Sequence, residues 1–204
     1  MALKLHHLNA SRSQRLVWLI EELGAPVEIV SHQRHPETRL APPALLDIHP
    51  MGKSPLLEYE GGVIAETGAI AEYLLARFDG DHKLHPRSDS PDYPRYLEWL
   101  HSAEGAPFLP GLMMFYLANV NLTDSPLSQA MAGEAAKAAA HIERHLSDHA
   151  YFAGGAFSAA DCLMGFQIQN AVASGAADNA PATKAWLERV QARPAYQRML
   201  AIGI

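Results

Sequence analysis

The spacing of apolar residues divides this chain into two parts. Leu3-Lys4-Leu5-His6-His7-Leu8 alternates at period two and predicts a strand. Leu16, Ile20 and Leu23 share one helical face, and Gly24 supplies a C-terminal stop. Val27-Glu28-Ile29-Val30 predicts a second strand. Residues 31–50 are polar and proline-rich, with one helical turn around Ala44-Leu45-Leu46. Leu56–Tyr59 and Val63-Ile64 flank Glu60-Gly61-Gly62, the pattern of a tight hairpin. Ile70, Leu74 and Phe78 mark a third helix. The expected order over residues 1–79 is β-α-β-α-β-β-α, a small α/β layer structure.

The pattern changes at residues 80–92, where Asp81-His82 and His85-Pro86-Arg87-Ser88-Asp89-Ser90-Pro91 form a polar, turn-rich linker. No strand signal follows. Helices are expected over 95–118, 126–149, 158–174, 181–192 and 194–202, so residues 93–204 read as an all-helical domain. Ser158-Ala159-Ala160-Asp161 is a capping-box variant with Asp in place of Glu. Pro181 and Pro194 suit the first turns of the last two helices.

Composition narrows the class. The 204 residues are 49% apolar, enough for a buried core, and carry a formal charge of −6. With no Lys/Arg cluster to offset that charge, nucleic acid is not expected as a partner. Cys162 is the only cysteine, so an internal disulfide and a CxxC site are both excluded. The opening residues Met1-Ala2-Leu3-Lys4-Leu5-His6-His7 lack the apolar core of a signal peptide. Residues 105–123 are uncharged but interrupted by two prolines, two glycines and two asparagines. Membrane insertion is therefore not expected, and a cytoplasmic protein is.

The candidate chemistry begins at Gly52-Lys53-Ser54-Pro55, followed by Glu66-Thr67. A proline opening an extended run marks a special turn, and X-Pro is the bond whose cis form is accessible. Such a turn is expected to present the N–H and C=O of Ser54 to an extended peptide, as an added strand would use them. Glu66-Thr67, at the next helix start, is suited to grip a peptide terminus. A phosphate-binding loop at Gly52-Lys53-Ser54 is excluded, because Asp47 stands where a glycine is required and Pro55 opposes a helix there. His141, His145 and His149 share a helical face, yet no second helix offers a carboxylate or cysteine. They read as a polar face, and no metal site is expected.

Four motifs, in this order and spacing, resemble those of the glutathione transferase family. They are Asn9-Ala10-Ser11-Arg12-Ser13-Gln14-Arg15, His49-Pro50-Met51-Gly52-Lys53-Ser54-Pro55, Glu66-Thr67-Gly68-Ala69-Ile70, and Phe157-Ser158-Ala159-Ala160-Asp161. The likeness covers nearly the whole chain and is nearest to the bacterial and fungal branch with an Asn-x-Ser-x-Ser run at the first helix. The resemblance implies a thioredoxin-like N-terminal domain (1–79), the linker (80–92) and the family's all-α domain (93–204). It implies a detoxifying transferase that uses glutathione as co-substrate, holds no permanent cofactor and forms a homodimer. Conjugation to small apolar electrophiles is the expected reaction, with glutathione-dependent peroxidase activity as a further option. Two alternatives are a glutathione-dependent thiol–disulfide reductase and a non-catalytic glutathione-binding module.

By that resemblance Ser11 donates to the glutathione sulfur, with Ser13 and Asn9 as alternatives, although a serine there also serves as a plain helix N-cap. Ala10 occupies the position that holds cysteine in one bacterial class, which argues against mixed-disulfide chemistry on the protein. Ser54-Pro55 is expected at the cysteinyl backbone, Lys53 at the glycyl carboxylate, and Glu66 and Thr67 at the γ-glutamyl ammonium and carboxylate. Arg39 and His49 are weaker candidates for the glycyl end. Glu104 aligns with an acid that reaches a partner subunit in some classes. Phe108, Leu112, Met113, Phe115 and Tyr116 are candidates for the electrophile pocket.

Overall fold

A computed structural model describes residues 3–203; Met1 and Ala2, which open the segment read above for its lack of a signal peptide, and Ile204 lie outside the described residues. The elements run β1 (Leu3–Leu8), α1 (Gln14–Leu23), β2 (Val27–His32), α2 (Ala44–Ile48), β3 (Leu56–Tyr59), β4 (Gly62–Ala65) and α3 (Thr67–Phe78). They continue α4 (Tyr93–Ser102), α5 (Leu109–Asn119), α6 (Pro126–Asp148), α7 (Ala159–Ala173), α8 (Pro181–Gln191) and α9 (Pro194–Ile202).

The strands form one sheet in the order β2-β1-β3-β4. β1 pairs parallel with β2, the crossover being α1, while β1–β3 and β3–β4 are antiparallel. This is a mixed thioredoxin-like sheet. Leu5 and Leu57 meet across β1–β3 and are fully buried. Leu16, Trp18 and Leu19 of α1, with Ile70 and Leu74 of α3, are buried with them. Each such side chain contributes about 1.5–3 kcal/mol relative to exposure.

The chain forms two compact units, Met1–His85 with Val190–Ile204, and Pro86–Arg189. The sequence alone groups everything from residue 93 onward. By packing, however, α9 belongs with the first unit, where it lies on α1. Trp18 meets Tyr196 edge-on at 4.9 Å between centroids. The Arg193 guanidinium grips the Glu22 carboxylate with two hydrogen bonds of 2.6 and 2.8 Å, and Trp18 Nε1 donates to Glu22 at 2.9 Å. A short linker segment in this unit is folded around buried Asp79, which accepts from the N–H groups of Lys83, Leu84 and His85.

The second unit is all helical. Its core packs Trp99, tilted, and Trp186, edge-on, against Phe152, with ring centroids 4.8 and 5.2 Å apart. The expected single helix over 95–118 is corrected to α4 and α5, with a break at Ala103–Phe108. Pro107 gives no N–H, and its ring opposes the preceding helical turn, so the apolar period continues across a gap the backbone cannot bridge as α-helix. Asp161 Oδ2 accepts the Ser158 N–H at 2.9 Å, the reciprocal half of the capping box that starts α7. Its Oδ1 accepts from Phe152 N–H and Trp186 Nε1. Among the described residues, no helix is long and apolar enough to cross a membrane.

Candidate functional site

Register brings three sequence motifs to one end of the sheet. β1 pairs with β3 as His6↔Leu56, so the chain leaving β1 passes the chain entering β3. β3 pairs with β4 as Leu56↔Ala65, so the residues before Leu56 lie beside those after Ala65. The turn at Asn9–Ser13, the Ser54-Pro55 pair and the Glu66-Thr67 pair therefore share one edge of the first unit.

Each segment has its own anchor. The Ser54-Pro55 bond is cis, as the sequence pattern suggested. Ser54 Oγ donates to the His6 carbonyl at 2.8 Å, which fixes the turn to β1. Among the described residues, Ser54 N–H and C=O engage no other main-chain group. Gly52 adopts φ 56°, a left-handed conformation that favours glycine, and a Cβ on it would lie 2.6 Å from Leu46 Cδ2, so the exposed Leu46 side chain would have to move aside. Lys53 is exposed at the outside of the turn.

Glu66 adopts φ 75°, ψ 125°. A non-glycine residue there costs roughly 1–3 kcal/mol, and such residues cluster at functional sites. Its side chain makes no capping hydrogen bond, so capping does not account for the acid, which is exposed. Thr67, buried behind it, is the first residue of α3, where main-chain N–H groups lack helical partners.

The first turn is tied down by a residue the sequence reading missed. Arg34, just past β2, donates from its guanidinium to the carbonyls of Asn9 (3.1 Å), Ala10 (3.1 Å) and Arg39 (2.9 Å). Its N–H donates to Asn9 Oδ1 at 2.8 Å. Asn9 thus serves the turn, and Ala10 is held at φ 48°. Nothing in the local pattern marks Arg34, because its role depends on reach across the sheet edge.

Ser11 sits in this turn and is nearly buried. Helix α1 begins later than an N-cap at Ser11 would place it, at Gln14 with Ser13 as its N-cap residue. The Ser11 carbonyl accepts the Gln14 N–H in a tighter turn, which holds Ser11 outside the helix. Ser11 Oγ lies 2.7 Å from Ser13 Oγ and accepts the Ser13 N–H at 3.3 Å. Ser13 is fully buried, and its Oγ points back to β1, where it meets His7 Nδ1 at 2.8 Å. Arg39 and His49 lie on the flanking loops; the His49 carbonyl accepts the Gly52 N–H at 2.9 Å.

The remaining candidates belong to the helical unit. Glu104 follows α4 and is half-buried. Phe108 packs on Phe166 at 6.5 Å between centroids. Leu112 and Met113 are half-buried on α5, while Phe115 and Tyr116 are 60% and 54% exposed and lie against each other. The histidines of α6 are used in packing: His141 stacks on Trp99 at 4.8 Å, and His145 Nε2 contacts the Tyr151 carbonyl at 3.3 Å. Burial holds His145 below the ordinary histidine range, against the raising effect of that carbonyl. Cys162 is buried inside α7, so this thiol is inaccessible to a substrate.

A four-stranded thioredoxin-like unit paired with an all-helical unit is the architecture of the glutathione S-transferases. The chain belongs to that family. The N-terminal domain of glutathione S-transferase matches residues 1–76, and the C-terminal domain matches residues 107–194. Glutathione S-transferase 1 of Saccharomyces cerevisiae is 33% identical over 95% of this chain and 92% of its own length. Glutathione S-transferase 3 of Schizosaccharomyces pombe is 32% identical over 80% of this chain and 72% of its own. The crystal structure of a glutathione S-transferase from Actinobacillus pleuropneumoniae has a TM-score of 0.88 at 29% identity, covering 97% of this chain and 90% of that one.

Proposed function

We propose that this chain binds glutathione along the edge of the first unit and conjugates it to small apolar electrophiles. The observation that carries this reading is the convergence of Ser11, Ser54-Pro55 and Glu66-Thr67, with Ser54's main-chain groups bonded to no other main-chain group among the described residues and Glu66 held at φ 75°. In this reading Ser54 N–H and C=O pair with the cysteinyl backbone, as an edge strand pairs with an added peptide. The Glu66 carboxylate accepts from the γ-glutamyl ammonium. Thr67 donates its hydroxyl and N–H to the γ-glutamyl carboxylate, where the positive end of α3 favours an anion. Lys53 meets the glycyl carboxylate, with Arg39 and His49 flanking it.

Ordinary thiols ionise near pH 8.5, so a site that works at neutral pH must favour the thiolate. Ser11 is the group we assign to the sulfur, as a hydrogen-bond donor and not as a nucleophile. Residues 1–79 are assigned the glutathione site. In residues 93–204, Phe108, Leu112, Met113, Phe115 and Tyr116 are assigned to the electrophile and Glu104 to a partner subunit of a homodimer. The burial of Cys162 and the presence of Ala10 support transferase or peroxidase chemistry over exchange through a protein thiol. A cytoplasmic, dimeric enzyme is the form we expect.

The test is turnover with an aromatic electrophile, a hydroperoxide and a glutathionyl disulfide measured side by side, together with retention on immobilised glutathione. Conjugation should dominate. Retention without turnover of any of the three would replace this reading with a non-catalytic binding module. Dominant disulfide reduction would replace it with a reductase. Glu66→Ala should weaken retention tenfold or more, the loss of about 1.4 kcal/mol or above. Ser11→Ala should retain binding and raise the bound thiol's pKa.

A further inference from the structure

Ser11 is the outer member of a buried chain of polar groups. Ser11 Oγ lies 2.7 Å from Ser13 Oγ, Ser13 Oγ lies 2.8 Å from His7 Nδ1, and His7 Nε2 lies 3.0 Å from the Gly203 carbonyl. Ser13 is 0% exposed and His7 1%. A carbonyl only accepts, so His7 Nε2 carries a hydrogen. Burial lowers the His7 pKa, outweighing the raising effect of the Gly203 bond, and the ring is neutral at physiological pH. Nδ1 therefore has a free lone pair and accepts from Ser13 O–H. The Leu8 carbonyl, at 3.3 Å, competes for the same hydrogen only at longer range. Ser13 Oγ already accepts the Leu8 N–H at 3.1 Å and has no second hydrogen. It must then accept from Ser11 across the 2.7 Å contact. The Ser11 hydrogen thus points inward, away from any ligand at the edge.

We propose that His7 is the proton acceptor at the inner end of a Ser11–Ser13–His7 relay and the positioning residue that decides which way Ser11 donates. This rests on the glutathione reading above. The thiol S–H bond breaks as its hydrogen passes to Ser11 Oγ. Ser11's own hydrogen passes to Ser13 Oγ, and Ser13's passes to His7 Nδ1. The products are a thiolate and an imidazolium, with no change in net charge and no co-reactant; the attraction between the two charges has to offset the burial that keeps His7 neutral before the thiol binds. Every bond in the chain has reversed: His7 donates to Ser13, Ser13 to Ser11, and Ser11 to sulfur. The titratable groups on elements packed against β1 bear on this step. His32 on β2 interacts with His7 as a like charge when both are protonated. Glu58 on β3 is bonded to His6 at 2.7 Å. On α1, Arg15 is buried, and Glu21 and Glu22 are paired with Arg198 and Arg193.

The test compares glutathione with S-methylglutathione, which lacks the thiol hydrogen. Nitrogen NMR of labelled histidine in the full chain should show His7 Nδ1 protonated by glutathione and unchanged by the methyl analogue. His7→Asn keeps an acceptor for Ser13 but takes no proton. It should bind S-methylglutathione within about twofold of wild type while the bound thiol's pKa rises by roughly one unit, a tenfold loss of thiolate. Ser13→Ala cuts the chain in the middle and should give the same shift, and it stands in if His7→Asn does not fold. A bound-thiol titration unchanged in both variants, alongside a rise in Ser11→Ala, overturns the relay and leaves Ser11's role intact. No rise in Ser11→Ala, or no glutathione binding by wild type, overturns the proposed function and the relay with it.

Discussion

Glu66 keeps a backbone conformation that glycine would adopt without steric cost. Replacing it separates shape from chemistry. Glu66→Gly should melt no lower than wild type, because relief of strain offsets the added chain entropy, while retention on immobilised glutathione is lost. A clear drop in melting temperature would mean that the carboxylate stabilises the fold, contrary to its exposure. Asp161 makes the opposite case. Burial pushes its carboxyl up to about 6, against the lowering effect of hydrogen bonds from Trp186, Phe152 and Ser158. The folded value lies above the unfolded 3.8, so the stability this group contributes is complete below pH 3.8 and is lost as pH rises through about 6. Asp161→Asn should cost about 1–3 kcal/mol, since an amide hydrogen then faces the Ser158 N–H. Denaturant titrations should show a larger gap between wild type and variant at pH 4.5 than at pH 7. Both acids were visible in the sequence because each belongs to a short motif. Arg34 was not, since three carbonyls brought together by the sheet edge leave no local pattern.

Periodicity located β1 and α1 from their apolar spacing, although burial reaches beyond that spacing: His6 and His7 of β1 and Gln14 and Arg15 of α1 are buried too. It misjudged the helix over 95–118, because apolar spacing carries no record of a missing N–H at Pro107. Reading Ser11 as a helix N-cap placed the start of α1 too early: Ser13 is the N-cap residue, and its hydroxyl turns toward His7 and Leu8 instead of capping the helix. Another contact invisible to periodicity joins α6 to α8. Glu143 accepts from the N–H groups of Ala182 and Thr183 and from the Thr183 hydroxyl, at 2.7 to 2.9 Å. Desolvation raises its pKa, but these bonds and the nearby Lys184 hold it below the ordinary carboxylate range. Its stabilisation is therefore present above the unfolded value and lost as pH falls through the depressed one. Glu143→Ala should cost roughly 0.5–2 kcal/mol, as does loss of a helix cap, and the deficit measured by denaturant titration should shrink in acid.

The whole molecule divides its sequence between two units of nearly equal length, because α9 returns to the first. Apolar spacing reveals a helix at 194–202 but not its destination, which depends on Trp18, Tyr196 and the paired charges of Glu22 and Arg193. Glu22→Ala should cost about 1–3 kcal/mol, since it removes one acceptor that the Trp18 N–H and the Arg193 guanidinium share. Hydrogen exchange should show α1 and α9 losing protection together. If α1 keeps wild-type protection while α9 opens, the carboxylate does not join them.

The return of α9 has a consequence on the ribosome. The helical unit is continuous in sequence and can close once Arg189 has emerged, whereas the face of α1 that holds Trp18 waits for Tyr196. The segment made first should therefore finish second. Nascent chains stalled with residues 1–189 outside the exit tunnel should already resist protease over 86–189 while α1 is still cut.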